Sequence, residues 1–214
     1  MFTITNEDNM AMMARYPDKH FHLAICDPPY GISVNDMNLG SGKYKTEKKW
    51  DDAAPGADYF RELFRVADKV ILWGANHYVS KIPHDSSCWL VWDKRNGDSD
   101  FADAELAWTN FECPVRMFSF HLAQQSRMEI KDRFHVTQKP ISLYRWCLTK
   151  FAKPGWRILD THLGSGSHAC AIDEVNKFEK MGLTLTASEI DPEYYEKALA
   201  KIVKHQQNET NLFS

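Results

Sequence analysis

The tetrapeptide Asp27-Pro28-Pro29-Tyr30, called the clamp below, follows a short apolar run and has the residue types needed to hold an aromatic amine. The lone pair of such an amine is delocalised into its ring, so the nitrogen is a poor nucleophile. The Asp27 carboxylate and the Pro28 carbonyl can each accept one N–H bond, which stabilises the positive charge that develops on the nitrogen. The prolines stiffen this carbonyl, and Tyr30 offers a face for a flipped base. Asp-Pro and Pro-Pro are also common turn signals, so an ordinary turn stays open here.

A second segment, Asp160-Thr161-His162-Leu163-Gly164-Ser165-Gly166, places a carboxylate and a glycine turn between a predicted strand and a predicted helix. Glycine lets a ligand approach the backbone closely. The next predicted strand ends at Glu189, 189 − 166 = 23 residues past Gly166, where a carboxylate can accept both hydroxyls of a ribose. The same glycines fit a dinucleotide fingerprint, so a nicotinamide oxidoreductase and a structural turn both stay open. The late position of the turn, with Asp160 before it, favours S-adenosylmethionine, which has a positively charged methionine end.

Apolar periodicity and breaker residues predict the elements that position these segments. The run at 21–26 is a strand that ends at Asp27, because proline cannot continue a central strand. Strands that alternate with helices predict a mostly parallel sheet covered on both faces. The predicted strands are 2–5, 21–26, 70–73, 88–92, 104–108, 115–120, 157–159 and 183–187. The predicted helices are 9–16, 57–67, 140–151, 167–178 and 192–205.

The composition is that of one globular domain, with 43% hydrophobic and 26% charged residues in a chain of 214. We predict a single domain over 1–205 and a frayed tail over 206–214. The net charge of −3 argues against a generic basic DNA coat. No apolar run approaches the ~18 residues of a membrane span, and the polar N-terminus is not a signal peptide. The spacing of cysteines and histidines predicts no metal, no disulfide framework and a reducing cytoplasm.

Four motifs in a consistent order make the chain resemble the amino-group DNA methyltransferases, specifically the N6-adenine type with permuted motif order, of phage or restriction systems. The clamp comes first and the glycine turn comes last. Between them, His135-Val136-Thr137-Gln138-Lys139-Pro140 resembles the motif H-P-T-Q-K-P of that family. The resemblance covers about residues 3 to 200. It implies an α/β, Rossmann-like S-adenosylmethionine-dependent methyltransferase fold, with a seven-stranded, mostly parallel sheet. The first strand would lie near the last, and the strands that end at Asp27 and Asp160 would be neighbours.

The resemblance also assigns a role to each motif, with the clamp residues as the catalytic set. Asp8 matches an aspartate that contacts the cofactor adenine, Glu189 lies in the ribose-binding segment, and the segment with Lys139 helps to bind the methionine end. The cofactor-binding residues implied are Asp8, Asp27, Thr137, Lys139, Pro140, Asp160, His162, Leu163, Gly164, Ser165, Gly166, Glu189, Ile190 and Asp191. The sequence departs from the family pattern at Val136, where proline is usual, and at His162, where phenylalanine is usual.

An aspartate rather than a serine at the head of the clamp favours N6 of adenine, because serine is typical of N4-cytosine enzymes. The resemblance therefore implies site-specific methylation of a flipped adenine in double-stranded DNA. An N4-cytosine enzyme, an RNA enzyme and a non-catalytic DNA-binding relative stay as alternatives. DNA contacts are expected in a long loop, about 31–57, and in a short target-recognition region, about 119–134. The candidate contacts are Lys43, Lys45, Lys48, Lys49, Gln124, Arg127 and Arg133.

The short recognition region implies a short DNA site or help from a second subunit, and homodimers are frequent in this permuted group. A cognate restriction endonuclease is a further partner that the resemblance implies. The expected location is the cytoplasm of a bacterial or phage-infected cell.

Overall fold

The computed structural model describes residues 1–32, 51–97, 102–134 and 137–211. A sheet of eight strands in the order β1-β8-β7-β2-β3-β5-β4-β6 forms its centre. The strands are β1 (Phe2–Asn6), β2 (Phe21–Cys26), β3 (Ala67–Trp73), β4 (Leu90–Asp93), β5 (Ala104–Thr109), β6 (Arg116–Ser119), β7 (Arg157–Asp160) and β8 (Thr184–Glu189). The helices are α1 (Asn9–Met13), α2 (Ala57–Val66), α3 (Arg127–Lys131), α4 (Ile141–Phe151), α5 (Ser167–Phe178) and α6 (Pro192–Asn211). Short 3-10 turns span Ala75–His77, Val79–Lys81 and Leu122–Gln124.

The pairing of the strands brings the two ends of the chain together. Strands β1, β8, β7, β2 and β3 are parallel neighbours, whereas β5 runs antiparallel to both β3 and β4. Phe2 lies opposite Leu185, and Leu23 lies opposite Ile158. The predictions that the first strand lies near the last, and that β2 neighbours β7, are therefore confirmed. Because the central strands are parallel, the segments that follow β2, β7 and β8 meet at one edge of the sheet.

Strand β2 is buried on both faces from Leu23 to Cys26, which explains why these four residues are all apolar rather than alternating with polar ones. Leu23 and Ile25 pack in the core that α4 and α5 cover, and Ala24 and Cys26 pack in the core that α1 and α2 cover. Successive side chains point to opposite faces of a strand, so one six-residue run serves both cores. The clamp begins directly after this rigid strand.

The structure differs from the sequence expectations in its strand count, its C-terminal helix and one pair of cysteines. The sheet has eight strands among the described residues, not seven. Helix α6 runs on to Asn211, so the predicted tail at 206–214 begins inside a helix, where Gln206 donates a hydrogen bond to Asp173 of α5. The sulfur atoms of Cys88 and Cys113 are in contact, since β4 and β6 pair in parallel just beyond them. Among the described residues, no helix is long and apolar enough to cross a bilayer.

Candidate active site

A cavity at the carboxyl edge of the sheet gathers residues from segments that are far apart in the chain. The predicted site residues in its wall are Asp27, Pro28, Pro29, Tyr30, Thr137, Lys139, His162, Leu163, Gly164, Ser165, Glu189, Ile190 and Asp191. The wall also contains residues that were not among the predicted site residues, namely Glu7, Asn9, Ile32, Asp51, Gln138, Tyr144, Thr161, Ser188 and Tyr194. Four predicted cofactor residues lie outside the wall, namely Asp8, Pro140, Asp160 and Gly166.

The glycine turn is fastened to the end of β8 by the Glu189 carboxylate. Glu189 Oε2 accepts a hydrogen bond from the Gly164 amide at 2.9 Å, and Oε1 accepts one from the Asp191 amide at 2.9 Å. Gly164 and Gly166 have φ of +53° and +71°, the left-handed region that favours glycine. Burial raises the pKa of Glu189 above its ordinary value, and the two amide hydrogen bonds oppose that rise.

The Asp160 carboxylate is used inside the protein rather than in the cavity wall. One oxygen accepts a hydrogen bond from the His162 amide at 3.0 Å, and the other lies 2.9 Å from Nδ1 of His168. Both side chains are almost fully buried, and the His168 ring stacks on Tyr144 of the wall at 4.9 Å between centroids. Asp160 therefore orients the turn, and its expected contact with the methionine end of the cofactor stays a prediction. No sequence pattern singles out His168 as its partner.

Asp8 caps a helix beside the cavity. Its Oδ1 accepts hydrogen bonds from the amides of Met10 and Ala11 at 2.9 and 3.1 Å, which satisfies two free N–H groups at the start of α1. The adjacent Glu7 and Asn9 line the cavity instead. The assignment of Asp8 to the cofactor adenine stays a prediction.

His162, the residue that departs from the phenylalanine usual in the resembled motif, is a half-buried ring held by a chain of hydrogen bonds. Asn9 Nδ2 lies 3.0 Å from His162 Nε2, and Thr161 Oγ1 lies 2.9 Å from His162 Nδ1 and 2.7 Å from Tyr59 Oη. An amide NH₂ only donates, so Nε2 accepts and the ring proton resides on Nδ1. Burial lowers the pKa of His162 to about 4, which keeps the ring uncharged near neutrality.

The clamp carboxylate is already engaged by two donors. Tyr30 Oη donates to Asp27 Oδ1 at 2.7 Å, and Lys139 Nζ lies 2.6 Å from Asp27 Oδ2. Lys139 also donates to Tyr30 Oη at 2.8 Å, and its side chain is only 1% exposed. Lys139 was expected to help bind the cofactor, but its ammonium contacts the clamp. Each carboxylate oxygen has about two lone-pair sites, so Asp27 keeps acceptor capacity for a substrate.

A third side chain, Glu105 at the start of β5, completes this charged group. Its Oε2 lies 3.0 Å from Lys139 Nζ, and its Oε1 lies 2.7 Å from Lys94 Nζ. Burial acts to raise the pKa of Glu105, but the two ammonium groups outweigh it and lower that pKa to about 2. At Asp27 burial prevails over the attraction of Lys139, so the pKa of Asp27 is raised.

Asp51 and the turn after β3 hold the clamp backbone and ring. The buried Asp51 carboxylate accepts hydrogen bonds from the amides of Tyr30 and Gly31 at 2.6 and 3.0 Å. The Tyr30 ring stacks on His77 with centroids 5.1 Å apart. Gly74, at φ +72°, leaves room for that ring, because a Cβ there would lie 2.0 Å from Tyr30 Cε1. A base that stacks on Tyr30 would have to use the face opposite His77.

Of the predicted DNA contacts, Gln124 and Arg133 can be placed by the described residues, and neither lines this cavity. Lys43, Lys45, Lys48 and Lys49 fall outside the described residues, as do His135 and Val136. Gln124 Oε1 accepts a hydrogen bond from the His121 amide and so caps the turn Leu122–Gln124. Arg127 begins α3, and the half-buried Arg133 follows that helix. The DNA-binding roles of these residues stay predictions.

Three solved structures resemble nearly the whole chain. The M1.HpyAVI–SAM complex has a TM-score of 0.58 and 15% identity, over 94% of this chain and 100% of that chain. TTHA0409, a putative DNA modification methylase from Thermus thermophilus complexed with S-adenosyl-L-methionine, has a TM-score of 0.59 and 17% identity, over 96% and 94%. PvuII DNA methyltransferase, which is cytosine-N4-specific, has a TM-score of 0.58 and 11% identity, over 94% and 87%. No family model matches the sequence. The chain therefore has the α/β fold of these methyltransferases.

Proposed function

We propose that this protein is an S-adenosylmethionine-dependent DNA methyltransferase that methylates N6 of an adenine flipped out of the duplex. The observation that carries the proposal is that the clamp and the glycine turn line one cavity, although 160 − 27 = 133 residues separate Asp27 from Asp160. A cavity that brings an amine-binding segment to a nucleotide-binding segment suits transfer between two ligands. The proposed substrate is double-stranded DNA, in the cytoplasm of a bacterial or phage-infected cell.

The cavity wall has the polar groups that the cofactor needs. Glu189 already accepts one amide hydrogen bond at each oxygen and keeps further lone pairs for ribose hydroxyls. The amide oxygen and nitrogen of Gln138 are buried in the wall and have no hydrogen-bond partner among the described residues. Buried polar atoms without a partner are costly, so Gln138 suits the polar amino-acid end of the ligand. When bound, S-adenosylmethionine supplies a methyl group on a positively charged sulfur.

The clamp residues perform the remaining steps. The Asp27 carboxylate and the Pro28 carbonyl each accept one N–H of the target amine, which frees the nitrogen lone pair to attack the methyl carbon. The bond between that carbon and the sulfur of the bound cofactor would break as the new N–C bond forms. The positive charge that builds on the nitrogen is stabilised by the Asp27 carboxylate. The methylated nitrogen is strongly acidic, and its proton leaves to Asp27 or to water. The pKa of Asp27 is raised whereas that of Glu105 is lowered, so Asp27 is the better proton acceptor of the two carboxylates. No separate general base is required.

The choice of adenine rests on Asp27 at the head of the clamp, where serine is typical of N4-cytosine enzymes. N4 of cytosine is the second candidate, because one solved structure of similar fold is a cytosine-N4-specific enzyme. A homodimer and a cognate restriction endonuclease stay predictions from the resemblance to the permuted family.

Incubation with methyl-labelled S-adenosylmethionine and duplex DNA, followed by digestion to nucleosides, tests the proposal. We expect the label in N6-methyladenine. Label in N4-methylcytosine would support the second candidate, and label in RNA but not in DNA would change the substrate. An absence of transfer to any nucleic acid would contradict the proposed function.

A further inference from the structure

The two donors that occupy Asp27 have a second acceptor close by. Lys139 Nζ lies 2.6 Å from Asp27 Oδ2 and 3.0 Å from Glu105 Oε2. Tyr30 Oη lies 2.7 Å from Asp27 Oδ1 and 3.4 Å from the same Glu105 oxygen. The phenol has a single proton, which the shorter distance assigns to Asp27. Glu105 is therefore the nearby carboxylate to which both donors can turn.

This second acceptor matters because Asp27 has to accept an N–H bond from the target amine. A donor displaced from Asp27 would otherwise be a buried polar group without a partner, which is unfavourable because its lost hydrogen bonds to water are not replaced. Because the side chain of Lys139 is only 1% exposed, water does not readily replace an acceptor that Lys139 loses. Glu105 keeps its charge because Lys94 pairs with its other oxygen at 2.7 Å.

We infer that Glu105 is a positioning residue for methyl transfer: it takes over the hydrogen bonds of Lys139 and Tyr30 as Asp27 binds the target amine. The inference rests on the proposed function of the clamp. It gives Lys94 the role of holding Glu105 in place, and it gives Lys139 the role of joining the two carboxylates. Glu105 itself does not touch the substrate.

Glu105→Gln tests the inference, because it removes the charge while it preserves the shape of the side chain. We expect the single-turnover rate of methyl transfer to fall on the order of tenfold or more, since a charge-assisted hydrogen bond is weakened in the transition state. The dissociation constant of S-adenosylmethionine should stay within about twofold, because Glu105 lies outside the cavity wall. Glu112→Gln, an exposed carboxylate on the loop after β5, is the matched control.

The pH profile separates this role from a merely structural one. The titratable groups that act on Asp27 or respond to it are Tyr30, Tyr78, Glu105, Lys139 and Tyr144. The negative charge of Glu105 contributes to the raised pKa of Asp27. Glu105→Gln should therefore move the acid limb of the rate profile to lower pH, a shift that a loss of packing does not produce.

Glu105→Asp is the second variant, because it keeps the charge but withdraws the carboxylate by one methylene. It should also slow transfer without weaker cofactor binding, and thermal unfolding identifies which variants are folded. A wild-type rate in either folded variant, or an unmoved acid limb in folded Glu105→Gln, would overturn the inference. If the wild-type protein itself transfers no methyl group to nucleic acid, the proposed function fails instead, so the two failures are distinguishable.

Discussion

Two carboxylates share one buried ammonium beside the clamp, and they respond to it in opposite ways. The pKa of Asp27 is raised because burial prevails, whereas the Lys139 and Lys94 ammonium groups lower the pKa of Glu105 to about 2. The negative charge therefore stays on Glu105 over the working pH range. Asp27 is the carboxylate of the pair that can more readily take a proton, as the proposed mechanism requires.

The residues found from sequence differ in kind from those that were missed. The clamp and the glycine turn are contiguous segments whose chemistry can be read from neighbouring letters. Asp51 contacts Tyr30 although 21 positions separate them in the sequence, and Glu105 lies near the Tyr30 hydroxyl although 75 positions separate them. Such contacts depend on the packing of β5 and of the segment before α2, which no local pattern specifies.

At Glu189, the raised pKa predicts a pH dependence of cofactor binding. A carboxylate accepts the ribose hydroxyls better than a protonated carboxyl does, and burial raises this pKa above the ordinary 4.5. Affinity should therefore be constant near neutrality and should fall as the pH decreases through the raised pKa. Isothermal titration calorimetry with S-adenosylmethionine between about pH 5 and 8 measures the curve.

Glu189→Gln should bind the cofactor on the order of tenfold more weakly, since hydrogen bonds to a charged group are lost, and its affinity should no longer follow that curve. Glu196→Gln, an exposed residue of α6, is the control. The same pH dependence in wild type and Glu189→Gln would show that another group is responsible.

At the scale of elements, the end of β3 supports the clamp that follows β2. The strand stops at Trp73, and Gly74 turns the chain in a left-handed conformation into the short helix Ala75–His77. This turn carries His77 onto the Tyr30 ring. Neighbouring parallel strands thus supply the clamp and its support.

Gly74→Ala should displace Tyr30 and slow methyl transfer, because the new Cβ would lie 2.0 Å from Tyr30 Cε1. Gly155→Ala is the matched control: its φ is +78°, and nothing lies within 4 Å of its added Cβ. Both variants should lose roughly 1–2 kcal/mol of stability from left-handed strain. Urea unfolding and single-turnover transfer rates measure the two effects. Equal rates in the two variants would contradict the supporting role of the turn.

The observed bounds of the strands and helices show where apolar periodicity alone is sufficient to predict them. Strand β2 and helix α5 have the predicted bounds, because their apolar positions extend to both ends. Strand β3 begins at Ala67 rather than at the predicted Val70, since the intervening Asp68 and Lys69 are polar residues at its less buried end. The apolar stripe of helix α6 ends near Ile202, but the helix continues through polar residues to Asn211.

At the scale of the whole molecule, the order of the motifs was enough to predict the central topology. A chain that begins with β1 beside β8 and places β2 beside β7 brings the clamp to the glycine turn. The segments predicted one by one already include all eight strands, and only the count of seven that the resemblance implied differs from the structure. The two halves of the cavity thus come from opposite ends of the sequence.

Because the clamp and the glycine turn are separate halves of the cavity, we expect that one substitution can slow methyl transfer without weakening cofactor binding. Asp27→Ala should slow single-turnover methyl transfer on the order of 10²-fold or more, since a preorganised acceptor for the transition state is removed. The dissociation constant of S-adenosylmethionine should change little, because the glycine turn and Glu189 are unaltered. Without Asp27 the buried Lys139 ammonium still pairs with Glu105 Oε2 at 3.0 Å, so the variant should remain folded. The exposed Asp85→Ala is the control.

The catalytic role of the clamp is best tested by the single-turnover rate of methyl transfer to duplex DNA by Asp27→Ala, measured beside its affinity for S-adenosylmethionine. We expect a rate reduced by on the order of 10²-fold with an affinity close to that of the wild type. An unchanged rate with weakened cofactor affinity would contradict it, because the clamp would then belong to the cofactor site alone.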